Sequence, residues 1–479
     1  MRPHVILRYV GLVLLLNSVF LLISGVISAV KGDSGQFPLF YSFTISILFG
    51  AFPLIFVPST SDISNQEGFT VVVASWLLSC MVGVLPYVLW GGEFTFTNAW
   101  FESVSGYTTT GSSILTNIEG LPAGLLFWRS ATQWIGGIGI IIFVLSVLPA
   151  TERAGITLYR TEMSSLATDT FHYRTKKTLK VLLYVYIALT LLETVSLLAC
   201  GMNLFDAVTH SFTTIATGGF SPKNLSIAYY QSLPIEIVVM VFMVLSGIHF
   251  GILFFAVSGK VSKIWKSSVV RYYIAAILTA TLLAAISLHG RQYAHFTDAL
   301  RYAAFQIISL GTSTGFATTD SSIWPSFCVL IMIFFTLQCA CAGSTSGGIK
   351  VDRIVMAWKL LRKTIQKIKH PRAVVVPKLD GVAIDDEVLE GSVLYICLYV
   401  ATVFGSSLIL TWLGMDGLSA FSGAATTMGN VGPGFGTVGS MSNFSHIPEA
   451  GKWILSADML LGRIEIFGVV LFFTARSWK

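Results

Sequence analysis

The sequence predicts an all-α polytopic membrane protein. It reads as a leading helix pair followed by four helix–pore loop–helix repeats around one pseudo-fourfold axis, with ten spanning helices in all. Three observations predict this. The 479-residue chain is 54% hydrophobic and only 11% charged, against about 25% charge in a soluble protein, and its mean hydropathy is +0.75. Ten apolar segments reach the roughly 20 residues that a bilayer-spanning helix needs. Between them, four shorter apolar stretches each run into a turn rich in Thr, Ser and Gly.

In chain order, residues 1–68 hold the leading pair, with spans near 6–30 and 37–57. The first stretch is longer than a signal-peptide core and lacks an Ala-x-Ala cleavage site, so it reads as a retained helix. Repeat 1 (69–150) has spans near 69–90 and 127–148 around a short segment at 95–113. Repeat 2 (151–260) opens with a basic linker and has spans near 179–199 and 233–257 around 203–220. Repeat 3 (261–350) has spans near 270–288 and 324–342 around 297–318, and ends in a glycine-rich loop. A basic linker (351–392) leads to repeat 4 (393–479), with spans near 393–413 and 453–474 around 417–435. Each short segment has only about ten apolar residues before its turn, so it can enter a bilayer and return but not cross.

The four turns read Thr108-Thr109-Thr110-Gly111-Ser112, Ile215-Ala216-Thr217-Gly218-Gly219, Thr312-Ser313-Thr314-Gly315-Phe316 and Gly429-Asn430-Val431-Gly432-Pro433. Aligned on Gly111, Gly218, Gly315 and Gly432 they recur at intervals of 107, 97 and 117 residues. That period is too long for a solenoid and suits duplication of a two-helix membrane unit. Alanines 99, 207, 304 and 420 each sit 11 or 12 residues before their glycine. A dehydrated cation needs several oxygens at once, and backbone carbonyls supply them without burying carboxylates. Glycine allows the extended, strained backbone that this requires, and a short preceding helix aims its negative end at the ion. The pentapeptide Thr-Val-Gly-Tyr-Gly of potassium channels is absent, so the residues themselves point to a cation pathway rather than to strict potassium selectivity.

Charge sets the orientation. Arg153, Arg160, Arg174, Lys176, Lys177 and Lys180 cluster in one linker; Lys260, Lys263, Lys266 and Arg271 in the next; and a third runs from Lys350 to Lys378 with nine basic residues. Both ends are basic too (Arg2, Arg8, Arg476, Lys479). By the positive-inside rule these parts and both termini face the cytoplasm and the four turns open outward. The net charge of +6 follows from these loops and implies no nucleic-acid partner; anionic membrane lipid, or a soluble regulator, fits the basic linker. The six cysteines lie in or beside apolar segments without disulfide or zinc spacing. With no nucleophile, paired-carboxylate or metal constellation at chemical spacing, the sequence does not read as an enzyme.

A second feature lies beneath the turns. Gly343-Ser344-Thr345-Ser346-Gly347-Gly348 interrupts the eighth span. Glycine at this density breaks a helix, and free backbone at membrane depth is tolerated only inside protein or a water-filled cavity. The segment is therefore expected in the pathway as a gate. It is not a phosphate-binding loop, because Lys350 does not directly follow the glycine and membrane helices flank it. Arg463, inside the last span, costs several kcal/mol there unless it meets water or a partner, which marks it as functional. Glu465, two residues on, points elsewhere on a helix. Glu193 and Glu102 are expected to pack or hydrogen-bond, His249 to be a satisfied core histidine, and Gly136, Gly137 and Gly139 to serve helix packing.

At these motifs the chain resembles the Trk/Ktr/HKT superfamily of cation transporters. The resemblance covers nearly the whole chain and includes residues 210–221, Cys341-Ala-Gly-Ser-Thr-Ser-Gly-Gly-Ile-Lys350, Asn430-Val-Gly-Pro-Gly-Phe-Gly436 and Gly462-Arg-Ile-Glu-Ile-Phe467. The leading pair favours the Trk branch over the shorter Ktr branch. The resemblance implies potassium uptake across the bacterial inner membrane, through a filter lined by the carbonyls of Thr109–Gly111, Ala216–Gly218, Ser313–Gly315 and Asn430–Gly432. It implies that residues 343–348 block the pore and move on opening, with Arg463 beside them. It also implies a homodimer and a cytoplasmic TrkA-type ring that binds the nucleotide, leaving none on this chain. A sodium-preferring or proton-coupled carrier of the same fold is the alternative.

Overall fold

The computed structural model describes residues 2–58, 65–147, 175–257, 259 and 262–466. Arg153, Arg160, Arg174, Lys260, Arg476, Lys479 and the end of the last expected span lie outside these residues. The chain opens with α1 (Pro3–Lys31) and α2 (Gln36–Phe56), which cross where Gly11 faces Gly50. A Cβ on Gly11 would lie 2.6 Å from the Gly50 carbonyl oxygen, so small residues set this approach.

Repeat 1 contains α3 (Asn65–Trp90), α4 (Phe96–Tyr107) and α5 (Ala123–Val147). Repeat 2 contains α6 (Thr175–Ala199), α7 (Leu204–Ile215), α8 (Leu233–Ser246), α9 (Phe250–Val257) and the single turn α10 (Ser262–Lys266). Repeat 3 contains α11 (Ser268–Leu288), α12 (Phe296–Gly311) and α13 (Ser326–Gln338). The basic linker forms α14 (Val351–Lys369) and a hairpin of β1 (Lys378–Leu379) and β2 (Val382–Ala383), with Lys378 opposite Ala383. Asp380-Gly381 turns that hairpin with two positive φ angles, the usual Asp-Gly solution. Repeat 4 contains α15 (Asp386–Trp412), α16 (Gly417–Met428) and α17 (Glu449–Ile464).

Among the described residues six helices are long and apolar enough to span a bilayer, and two further apolar helices, Leu233–Ser246 and Ser326–Gln338, are shorter. Three expected spans differ from the sequence reading. The segment at 233–257 is not one helix: α8 stops at Ser246 and α9 begins at Phe250. The break is filled by the backbone of the glycine-rich loop, with Cys341 N donating to Gly247 O at 3.1 Å and Phe250 N to Gly343 O at 3.2 Å. The span at 324–342 ends at Gln338, because Cys339 turns the chain at φ +54°. Arg463 is the penultimate residue of α17 rather than its middle, since Glu465 follows at φ +63°.

The four short helices α4, α7, α12 and α16 form the inner layer. Each packs against the helices that flank it in its own repeat. The last helix of each repeat also packs on the short helix of the next: α5 on α7, α8 on α12, α13 on α16, and α17 back on α4. The ring is thereby closed. Burial is inverted relative to a soluble protein. Glu102, Ser103, Ser105, His210, Thr213, Thr214, Ser309 and Thr426 are buried in the middle, while Phe49, Phe52, Leu191, Leu282, Leu408 and Trp412 are exposed on the outside. Such an exposed apolar surface fits lipid or a protein partner.

Candidate functional site

Three of the four inner helices start under a side-chain cap. Thr95 Oγ1 accepts from Asn98 N, Asn203 Oδ1 from Asp206 N and Asp416 Oδ1 from Ser419 N, which satisfies donors that a helix start leaves open. All four end in the same way. Thr109, Thr217, Ser313 and Asn430 adopt left-handed φ of 51–57°. Their amides donate back to Gly106, Thr214, Leu310 and Thr427. The next amides, of Thr110, Gly218, Thr314 and Val431, reach the carbonyls of Ser105, Thr213, Ser309 and Thr426 at 2.8–2.9 Å. This is the Schellman closure, four times over, with a non-glycine residue at a place where glycine is usual. A left-handed L-residue costs about 1–2 kcal/mol. Four such residues in register mark a conformation held by its surroundings.

Two residues further on, Gly111, Gly219, Gly315 and Gly432 take positive φ of 76–103°. The equivalent glycine of the second loop is therefore Gly219, one residue beyond the Gly218 alignment expected from sequence, and Gly218 matches Thr110, Thr314 and Val431. These glycines lock the loops edge to edge. A Cβ on Gly111 would lie 2.0 Å from Gly218 O, on Gly219 2.0 Å from Thr314 O, on Gly315 2.0 Å from Val431 O, and on Gly432 2.7 Å from Thr110 O. Loop 1 abuts loop 2, loop 2 loop 3, loop 3 loop 4, and loop 4 loop 1. Alternation of left-handed and ordinary φ turns successive peptide planes, so that consecutive carbonyls need not alternate sides as they do in a strand.

The glycine-rich loop lies against the inner ends of three of these loops. Thr345 Oγ1 donates to Ile215 O at 2.9 Å, and Gly347 N to Ser313 Oγ at 3.1 Å. A Cβ on Gly347 would lie 2.3 Å from Gly429 O, and Cys339 Sγ is 3.7 Å from that same oxygen. The loop is braced from its flanks: Ala342 N donates to Asp352 Oδ2 at 2.6 Å, Lys350 Nζ to Ser346 O, and Ile349 N to Leu337 O at 3.0 Å. Arg463 is buried; its Nη1 donates to Thr345 O and its Nη2 to Gly136 O at 3.0 Å. It thus joins the loop to α5. Glu465 pairs at 2.7 Å with Arg353, whose guanidinium stacks 3.8 Å over Tyr395.

Other sequence expectations resolve as follows. Gly136 meets Tyr107 O and Gly462 meets Met428 O at about 2 Å from an added Cβ, so these glycines admit the end of a neighbouring inner helix. His249 accepts from Gly251 N at 2.9 Å and packs against Gly343. Glu102 hydrogen-bonds the loop amide of Ile114 at 3.0 Å. Glu193 is fully buried, with Thr214 beside its carboxylate. Cys80, Cys328, Cys339 and Cys341 are buried, Cys200 is half-buried and Cys397 is exposed.

Sequence reasoning passed over two polar residues inside the fourth span, Arg129 and Gln133. Both are buried; Gln133 Nε2 donates to Gly218 O at 2.8 Å and its Oε1 accepts from Phe220 N at 3.1 Å. Their spacing of four inside an apolar run places them on one helix face, and that was the available signal.

The chain is similar throughout to known proteins. The TrkH family profile, described as cation transport protein, matches residues 36–479. The Trk system potassium uptake protein TrkH of Escherichia coli K12 is 34% identical over the full length of both chains. TrkI of Halomonas elongata is 33% identical, over 99% of this chain and 96% of its own. The crystal structure of the potassium transporter TrkH from Vibrio parahaemolyticus superimposes with a TM-score of 0.89 at 33% identity, covering both chains completely.

Proposed function

This chain belongs to the TrkH family of cation transport proteins, and on that premise we propose that it takes up potassium across the bacterial cytoplasmic membrane through a four-loop filter closed from below by an intramembrane gate. The observation that carries the reading is the closed ring of four loops, each with a positive-φ glycine against its neighbour's carbonyl. In this reading the carbonyls of Thr109, Thr110, Gly111, Thr217, Gly218, Gly219, Ser313, Thr314, Gly315, Asn430, Val431 and Gly432 replace water around the ion. Ala216, named from sequence, becomes the residue before the second filter loop. The inner helices aim the negative ends of their dipoles at the same place.

The gate is Gly343, Ser344, Thr345, Ser346, Gly347 and Gly348, latched by Arg463. Its hydrogen bonds to Ile215 O and Ser313 Oγ close the inner mouth. Opening requires those bonds and the Arg463–Thr345 bond to break together, and the membrane potential then drives entry at about 2.3 kcal/mol per charge per 100 mV. Ten spans, cytoplasmic termini, a homodimer and division into a leading pair and four repeats belong to the same reading. The relatives' naming within a Trk system supports a cytoplasmic TrkA-type nucleotide-binding ring on the basic α14 side, with no nucleotide on this chain.

The test is growth and rubidium uptake in a bacterial strain stripped of its own potassium uptake. Restored growth at low potassium is the expected result. A membrane-inserted chain that moves neither potassium nor rubidium, even with residues 343–348 shortened, contradicts the reading. The fully buried Glu193 is the observation that favours a proton-coupled carrier of the same fold; uptake that requires a proton gradient at fixed potential would support it.

A further inference from the structure

We propose that the buried Glu102–Arg129 pair is a positioning device that sets ion discrimination by holding the outer ends of filter loops 1 and 2 together. The inference rests on the filter reading above. Glu102 lies on α4 and Arg129 on α5, and both are shut away from solvent. Arg129 Nε and Nη2 both reach Glu102 Oε1 at 2.8 Å. The carboxylate also accepts from Ser113 Oγ at 3.0 Å and from Ile114 N at 3.0 Å, in the chain just after Gly111. Arg129 reaches the other way: Nη1 donates to Ser221 O at 3.3 Å and the guanidinium lies 4.1 Å over the Phe220 ring, just after Gly219. One ion pair therefore grips the exit strands of two adjacent loops.

The four repeats make this pair stand out. Glu102, His210, Gln306 and Gly423 occupy the same position, nine residues before the positive-φ glycine of their loop. Each polar member backs its own exit strand. His210 Nδ1 faces Asp206 O at 2.8 Å, so it carries the proton, and Nε2 accepts from Ser221 Oγ at 3.0 Å. Gln306 Nε2 donates to Thr319 O at 2.6 Å. In repeat 4 the position is glycine, and the neighbouring Ser422 takes over, accepting from Phe435 N at 2.8 Å and donating to Phe435 O at 3.1 Å. A carboxylate, an imidazole, an amide and a hydroxyl do one mechanical task. Only at loop 1 is the backing group charged, and there its charged partner also grips the neighbouring loop.

A buried ion pair is a costly way to pack a core, since an apolar pair of like volume is often as stable. What it offers is fixed geometry: several charge-assisted hydrogen bonds whose lengths resist stretching. A filter that ranks ions by how its oxygens close around them needs its loops held at a set separation. This pair is the buried, charged tie between the exits of loops 1 and 2; Asn224, whose Oδ1 accepts from Ile118 N at 2.7 Å, ties them again nearer the surface.

The experiment measures potassium and sodium flux in proteoliposomes for the wild type, Arg129→Lys and the neutral double variant Glu102→Gln/Arg129→Gln, all with the gate loop shortened. The double variant removes both charges together and so avoids an uncompensated buried ion; its melting temperature is read alongside. The proposal expects a melting temperature within a few degrees of wild type, total cation flux retained, and a potassium/sodium ratio reduced about tenfold. Arg129→Lys, which keeps the charge but cannot span three groups, should fall between. A folded double variant with the wild-type ratio overturns the proposal while leaving the filter reading intact. A variant that loses flux and melting temperature together, with Arg129→Lys at the wild-type ratio, shows a structural brace only and overturns it as well. A wild type without ion preference overturns the filter reading, and this inference with it.

Discussion

Gly315→Ala places a single methyl group where the structure has no room for one. The added Cβ would lie 2.0 Å from Val431 O and 2.8 Å from Pro433 Cδ. Carbon and oxygen in contact need at least about 3 Å, so the Val431 carbonyl of the neighbouring loop must retreat by about 1 Å. The backbone at φ +83° adds about 1–2 kcal/mol of strain for any L-residue. The larger consequence is for the ion. A carbonyl facing a cation is comparable to a hydrogen bond to a charged group, about 1.5–3 kcal/mol. Losing that from the better-fitting ion alone lowers its preference by about tenfold to a hundredfold. The assay is the potassium/sodium flux ratio in proteoliposomes, with Gly405→Ala as control, because a Cβ at Gly405 meets nothing within 4 Å. The control should keep the wild-type ratio and lose no stability, since alanine is the better helix former. A folded Gly315→Ala protein with an unchanged ratio refutes the reasoning.

Arg463→Ala removes one charge-assisted bond to Thr345 O, and at about 1.5–3 kcal/mol basal flux without any regulator should rise about tenfold or more; single-vesicle flux at the wild-type level would remove the latch assignment. Gly347→Ala drives a Cβ to 2.3 Å from Gly429 O, so the closed gate should be displaced and basal flux should rise, whereas a fall would mean that the loop is not the closed gate. Asp352→Asn weakens the brace on Ala342 N, and proteolysis or hydrogen exchange should show residues 339–350 opening more often, with α11 and α15 unchanged.

The repeats were legible because hydropathy counts residues, and a stretch of ten cannot span what needs about twenty. The inner helices begin and end close to where the turns place them. Register inside the second loop was not legible. Gly218 and Gly219 are adjacent, and only the φ pattern, with Thr217 and Gly219 positive, decides between them. The break between α8 and α9 was hidden for a different reason. The stretch Gly247-Ile248-His249 holds no proline, and the helix yields there because a distant segment, the gate loop, takes over its backbone partners. Arg463 could be flagged as costly but not connected, since its partners Thr345 and Gly136 are far away in sequence. Likewise Glu465 was set aside as a partner for Arg463, and it pairs instead with Arg353. Long-range pairing between polar groups in an apolar chain leaves no local periodicity to read.

The most direct test of the central claim is ion flux through the purified chain in liposomes, at clamped potential, with the 343–348 loop shortened and the potassium and sodium gradients compared. The account predicts potassium or rubidium flux well above sodium flux, following voltage and independent of a proton gradient. Equal fluxes of potassium and sodium, or no flux at all from folded protein, would contradict it.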